Sequence, residues 1–250
     1  PAGHLSPKRT RYWRKPIAFD ALTVLGLSRD GLCEFAEGMW AHQSAVNALT
    51  ALSRRAAIAG FDLRVASAFR SYGRQSDIVN AKWLGHRPVV DEEGVGLHRA
   101  ALSDTDWLAA ILRFSALPGT SRHHWGTDFD IWDRSAVTDD YTPQLLTSEY
   151  QPCGVFAEMR AWLDAQISAD NAEGFYKPYD VDRGGVAPEP WHISYRPVAE
   201  GYFRQLSLSQ CLPLWRGDAD PAGQCHAPLQ MMSLLETDAE AIFKRYVLMT

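Results

Sequence analysis

Residues 61–70 alternate strictly, with Leu63, Val65, Ser67 and Phe69 on one strand face and Arg64, Ala66, Ala68 and Arg70 on the other. This strand stands directly behind a long helical period, and the pairing does not recur in a regular rhythm. Upstream, residues 32–59 read as one helix. Phe35, Met39, Val46, Leu49 and Leu52 fall at helical spacing there, and Gly60 sits at the C-cap. Downstream, helical patterns over 73–83, 103–114 and 154–167 are mixed with short strands over 128–132 and 191–195. Ser103-x-x-Asp106 opens the second of these helices as a capping signal. Gly and Pro mark loops over 82–101, 118–126 and 180–190. A doubly wound sheet would need repeating βαβ units, so the expected class is α+β. The tail after Gln210 reads as loop and then a helix near 238–248.

A chain of 250 residues, 46% of them apolar, can bury the core of one large domain or of one domain with appendages. Its net charge of -5 provides no basic field, which argues against a nucleic-acid partner. The one basic cluster, from Lys8 to Lys15, is expected to be a solvated arm. No apolar run approaches the roughly 20 residues of a membrane span. The chain opens at Pro1 rather than Met, as expected of a processed product whose signal peptide has been removed. Cys33, Cys153, Cys211 and Cys225 form no C-x-x-C pair. Their even number fits two disulfides in an oxidising compartment, with Cys211–Cys225 the first candidate; four reduced thiols is the alternative.

Three segments carry chemistry. They are Ser121-Arg122-His123-His124-Trp125-Gly126-Thr127-Asp128-Phe129-Asp130, Glu189-Pro190-Trp191-His192, and Ser67-Ala68-Phe69-Arg70 followed by Gln75. A catalytic zinc takes three protein ligands and leaves one position for water. His123 and Asp130, seven apart across a Gly-containing turn, can fold back on one another, and His192 can join them from a neighbouring strand. Glu189 is placed to act as general base. The offset from Glu189 to His192 would put them on opposite faces of a regular strand. Pro190 interrupts the ladder, so the strand should begin at Trp191, with Glu189 bending back from the loop. Arg70, at a strand end, can stabilise an oxyanion or hold a carboxylate. Gln75 and Ser121 can add hydrogen bonds, and Trp191 can line the pocket. His124 is expected behind the site or in the pocket wall. His4, His42, His86, His98 and His226 lack ligand spacing. No G-x-S-x-G occurs, which excludes a nucleophile elbow.

Ser121-x-His123-x-x-Gly126-x-x-x-Asp130 with Glu189-x-Trp191-His192 resembles the signature of the LAS metallopeptidases. Ser67-x-x-Arg70 with Gln75 is similar to the upstream motif of their VanY-like D-alanyl-D-alanine carboxypeptidase branch. The resemblance covers roughly residues 61–195. It implies a small antiparallel sheet flanked by helices and one zinc ion, with His123, Asp130 and His192 as metal ligands. Glu189 is then the catalytic base, and Arg70 both catalytic and substrate-binding. Asp128 departs from the pattern, which commonly has a small residue there. It is expected to bind a substrate amine, to hold a ligand histidine, or to compete with Asp130 for the metal.

The resulting expectation is an N-terminal arm over 1–30, a zinc carboxypeptidase domain over 31–209 and a C-terminal extension over 210–250 packed on the same domain. The partner is a peptidoglycan stem peptide or muropeptide, met in the periplasm or outside the cell by a monomer. Removal of terminal D-alanine with either D,D- or L,D-specificity is the first reading. An endopeptidase of the same fold, or a non-catalytic zinc- or peptidoglycan-binding module, is the alternative.

Overall fold

A computed structural model describes residues 19–249. The basic cluster from Lys8 to Lys15 lies outside the described residues. In chain order the elements are α1 (Ala21–Val24), β1 (Leu32–Ala36), β2 (Met39–His42), α2 (Gln43–Ile58), β3 (Leu63–Ser67), α3 (Tyr72–Trp83), α4 (Asp104–Phe114), β4 (Asp128–Asp133), α5 (Thr147–Tyr150), α6 (Ala157–Ser168), β5 (Phe175–Tyr176), β6 (His192–Tyr195), α7 (Arg196–Gln205), α8 (Leu208–Arg216) and α9 (Met232–Phe243). The main sheet runs β3-β4-β6-β5, and every neighbouring pair is antiparallel. The fold is therefore α+β, with helices around a small antiparallel sheet.

Two apolar clusters hold it together. One packs the inward faces of α2 and α6 (Leu49, Leu52, Met159, Leu163) against Phe129, Ile131, Phe175 and Ile193 of the sheet. The other gathers Val24, Leu25 and Trp125 with Trp107, Ile111, Tyr202, Trp215, Leu235 and Phe243 from α4 and the C-terminal helices. Burying an aromatic or aliphatic side chain of this size stabilises by about 1.5–3 kcal/mol. The last 40 residues thus contribute to the core.

Three local expectations are corrected. Residues 32–42 form a hairpin rather than the first turns of a helix. Gly38, at φ +68, makes the turn, and Leu32 pairs with His42 and Cys33 with Ala41. The helix starts only where His42 caps it, through an Nδ1 that accepts from Ser44 N at 3.4 Å. The spacing of Phe35 and Met39 suits either structure, and packing of the hairpin on residue 126 decides. Second, residues 211–216, expected as loop, belong to helix α8. A capping box, with Ser207 N donating to Gln210 Oε1 at 3.0 Å, starts α8 despite Pro213. Third, the four cysteines are free. Cys211 faces the core and Cys225 faces solvent, so the expected bridge has no geometry to form.

Candidate metal centre

The sheet register builds the site. Asp128 stands opposite Ser194, Phe129 opposite Ile193, and Asp130 opposite His192. Side chains alternate along a strand, so Phe129, Ile131 and Ile193 enter the core. Asp128, Asp130, His192 and Ser194 then share the other face. β3 needs an irregularity to join them. Val65 opposes Ile131, but the register slips before Ser67, which opposes Asp130. This bulge turns Ser67 to the site face and sends Ala68 to the core, reversing the uniform alternation expected from the sequence.

His123 lies in a single 3-10 turn, Arg122–Trp125, closed by Gly126 in the left-handed region at φ +64. A Cβ at Gly126 would sit 3.2 Å from Ala41 Cα, and φ +64 strains any other residue, so glycine suits both the turn and the hairpin packed on it. His123 Nδ1 donates to Ala68 O at 2.8 Å, which turns Nε2 towards Asp130 Oδ2, 3.3 Å away. His192 is set the other way round. Its Nε2 donates to Asp128 Oδ1 at 2.9 Å, leaving Nδ1 to face Asp130 Oδ1 at 3.2 Å and Glu189 Oε2 at 3.3 Å. Glu189 reaches this position because the chain bends before β6: His192 N donates to Glu189 O at 3.1 Å and Glu189 N to Tyr179 O at 3.0 Å.

These residues fit a metal. One ligand atom each from His123, Asp130 and His192 lies within 4.8 Å of the others, and all three residues are buried. A tetrahedral zinc ion holds its ligand atoms about 3.4 Å apart. Among the described residues, four buried side-chain polar atoms lack a hydrogen-bond partner, and Asp130 Oδ1 and His192 Nδ1 are two of them. Two such atoms, 3.2 Å apart, are costly unless a proton or a metal cation lies between them. The electrostatics agree. Burial works to raise the Asp130 carboxyl, yet His123 and His192 hold it well below the usual carboxylate range. Burial works to lower His192, yet Asp128, Asp130 and Glu189 hold it above its ordinary value. A field that retains a proton against burial also favours a divalent cation.

Arg70 follows β3 and is held from several sides. Its Nη1 donates to Gln75 Oε1 at 3.0 Å and its Nη2 to Ser67 Oγ at 3.2 Å. Gln75 is fully buried and passes the constraint on, donating to Ala116 O at 2.6 Å. Its polar atoms are therefore engaged with Arg70 and Ala116 rather than turned to a substrate. His124 clamps the Arg70 backbone, with Nδ1 donating to Arg70 O at 2.5 Å while Nε2 accepts from Gly119 N at 3.0 Å. Burial holds its pKa down at about 3, which keeps the ring neutral and able to do both.

Asp128 is fully buried, and both oxygens are taken. Oδ1 accepts from Arg122 Nε (2.9 Å) and His192 Nε2 (2.9 Å), and Oδ2 from Thr127 (2.6 Å) and Ser194 (3.1 Å). It has no lone pair to spare for a substrate amine, and its neighbours shield it from the metal position. Against the burial that would raise it, Arg122 and His192 hold its carboxyl at about 2. Arg122 also donates to Tyr176 Oη and Ser194 Oγ, at 2.7 and 2.8 Å. Arg122 carries no signal in the sequence, although a fully buried aspartate is rarely left without a partner. Only the fold shows that Asp128 is buried.

A cavity of about 240 Å³ opens onto this face. Arg70, Ser121, His123, Asp130, Glu189, Trp191 and His192 line it, as does Lys82, which the sequence reading also passed over. Asp128 and Gln75 stand behind the wall. The arrangement can hold one divalent ion, set a carboxylate beside it, and present a guanidinium to a developing negative charge.

Comparison with known proteins follows the same residues. The VanY family profile, described as D-alanyl-D-alanine carboxypeptidase, matches residues 38–198. An uncharacterised protein of Haemophilus influenzae is 32% identical over 132 residues, which is 52% of this chain and 92% of the relative. Among solved structures, VanYB in complex with D-Alanine-D-Alanine aligns with a TM-score of 0.47 at 23% identity, over 71% of this chain and 85% of that one. The LdcB LD-carboxypeptidase aligns with a TM-score of 0.41 at 25% identity, over 73% and 77%.

Proposed function

The chain belongs to the VanY family of D-alanyl-D-alanine carboxypeptidases, and from that premise we propose that it is a zinc-dependent carboxypeptidase that removes a terminal D-alanine from peptidoglycan stem peptides. The observation that carries the reading is the pair of orphaned buried atoms, Asp130 Oδ1 and His192 Nδ1, facing each other with Glu189 Oε2 3.3 Å from the same imidazole nitrogen. His123 Nε2, Asp130 and His192 Nδ1 would hold the ion. When bound, zinc supplies Lewis-acid polarisation of the scissile carbonyl and of the attacking water.

The chain's own residues do the rest. Glu189 takes the proton of the attacking water on its carboxylate and returns it to the leaving amine. Arg70, fixed by Gln75 and Ser67, donates to the carbonyl oxygen as negative charge develops there, an interaction stronger in the transition state than in the ground state. Asp128 accepts a hydrogen bond from His192 Nε2, so that Nδ1 is the nitrogen that would present its lone pair to the ion. Ser121 and Trp191 lie in the wall where the peptide would rest. A cell-wall substrate would place the protein in the periplasm or outside the cell. Among the described residues no helix is long and apolar enough to cross a membrane.

Glu189→Gln tests the mechanism, because the amide keeps the shape but cannot take a proton. It should retain one zinc per chain and lower kcat at least 100-fold on acyl-D-Ala-D-Ala. Full activity in that variant would sink the mechanism. Product analysis on defined tetrapeptides and pentapeptides assigns D,D- or L,D-specificity. Cleavage within a cross-link, leaving several residues on each product, would favour an endopeptidase, and release of nothing a binding module.

A further inference from the structure

We propose that Lys82 binds the free terminal carboxylate of the substrate and so restricts this site to cutting one residue from a chain end. The proposal rests on the carboxypeptidase reading above. Lys82 sits in the last turn of α3, where a lysine ordinarily extends into water. Here it turns inward. Its Nζ donates to Ser115 Oγ at 2.8 Å, and it lines the same cavity as Arg70, His123, Glu189 and His192. An ammonium has three donors, and two remain free of the bond to Ser115.

Among the described residues, neither Lys82 nor Arg70 has a carboxylate within salt-bridge reach. The other acids of the wall are engaged elsewhere: Glu92 pairs with Arg113, and Asp91 Oδ1 accepts from the backbone of Glu93 and Val95. Lys82 also feels repulsion from Arg87 and Arg70, eased by Glu189. Burial draws its pKa down to about 8, so at neutral pH it is still a cation held largely away from water. A desolvated cation without a counter-charge is unfavourable, and an arriving anion relieves it.

A substrate bound for cleavage brings such an anion into the same cavity. In a peptide ending in alanine, the terminal carboxylate lies three bonds beyond the scissile carbonyl carbon. A cavity that accepts the carbonyl between Arg70 and the metal ligands must therefore place the carboxylate against a neighbouring wall. Arg70 is immobilised by Gln75 and Ser67, as suits a fixed oxyanion donor. Lys82, on its flexible stem, is left for the carboxylate. A peptide that continues past the scissile bond offers an amide there, which cannot neutralise a half-buried ammonium.

The test compares zinc-loaded wild-type chain with Lys82→Met and Lys82→Arg on diacetyl-L-Lys-D-Ala-D-Ala and its C-terminal carboxamide. Wild type should favour the free acid in kcat/KM by about 100-fold. Lys82→Met should lower that preference at least tenfold, mainly through KM, and Lys82→Arg should recover part of it. An unchanged ratio of acid to amide in Lys82→Met, in protein of wild-type zinc content and circular dichroism, overturns the proposal. If Lys82→Met does not fold, Lys82→Gln, which keeps the bond to Ser115, answers the same question. Hydrolysis of neither substrate by wild type would remove the carboxypeptidase reading. Binding then decides for Lys82: N-acetyl-D-alanine should bind zinc-loaded protein at least tenfold more tightly than its amide, and equal binding overturns the assignment.

Discussion

The pair formed by Arg122 and Asp128 allows stability and metal binding to be separated. Their Nε–Oδ1 distance is 2.9 Å, and both side chains are shut off from solvent. Asp128→Leu removes the carboxylate but strands a buried guanidinium, at a cost of about 3–5 kcal/mol. Adding Arg122→Met removes the stranded charge. Replacement of a whole buried pair by apolar side chains is often close to neutral, so most of the loss should return. The hydroxyls of Thr127 and Ser194, deprived of their acceptor, should keep the double variant about 1 kcal/mol below wild type. Zinc binding should not recover. Without Asp128, nothing fixes the His192 tautomer, and loss of such a partner weakens metal binding about 10–100-fold. Urea unfolding of metal-free protein measures the first quantity, and competition with a chromophoric chelator the second. A double variant with wild-type zinc affinity would refute the reasoning and reduce Asp128 to a counter-charge for Arg122.

Acid stability follows from the same carboxylate. Its pKa of about 2 lies below the ordinary 3.8, so its stabilisation is complete above about pH 5 and is lost progressively as pH falls through 2. Of a total of about 2.5 kcal/mol, about 1.8 kcal/mol should be lost between pH 4 and pH 2 in metal-free protein. Urea midpoints at pH 4, 3 and 2 should fall more steeply in wild type than in the Arg122→Met/Asp128→Leu variant, and parallel slopes would contradict the assignment. Gly185→Ala should destabilise by about 1–3 kcal/mol, because its Cβ would lie 2.1 Å from the carbonyl oxygen of Arg245 and push the C-terminal segment off the loop that leads to Glu189; an unchanged urea midpoint would show that the loop yields freely. Thiol titration of native protein should label the exposed Cys153 and Cys225 quickly. Cys211, buried and pushed up to about 12, should react only after unfolding, and peptide mapping that finds it bridged to Cys225 would contradict the packing.

Sequence alone determined the residues that meet at the metal centre and the class of the fold. His123, Asp130, Glu189 and His192 are legible because a divalent ion accepts few side-chain types, and because Gly126 and Pro190 force the chain to turn where it must. The amphipathic periods of α3, α4 and α6 are legible for a similar reason, since burial of one face leaves its repeat in the residues themselves. Tertiary structure decided what depends on contacts between distant segments. The hairpin over residues 32–42 and the bulge before Ser67 are choices between local conformations of similar energy, settled by packing against Gly126 and by pairing with β4. The neutrality of His124, the pairing of Asp128 with Arg122 and the inward turn of Lys82 all follow from burial. Burial is a property of the whole folded chain, and a residue's neighbours in sequence do not encode how much water it loses.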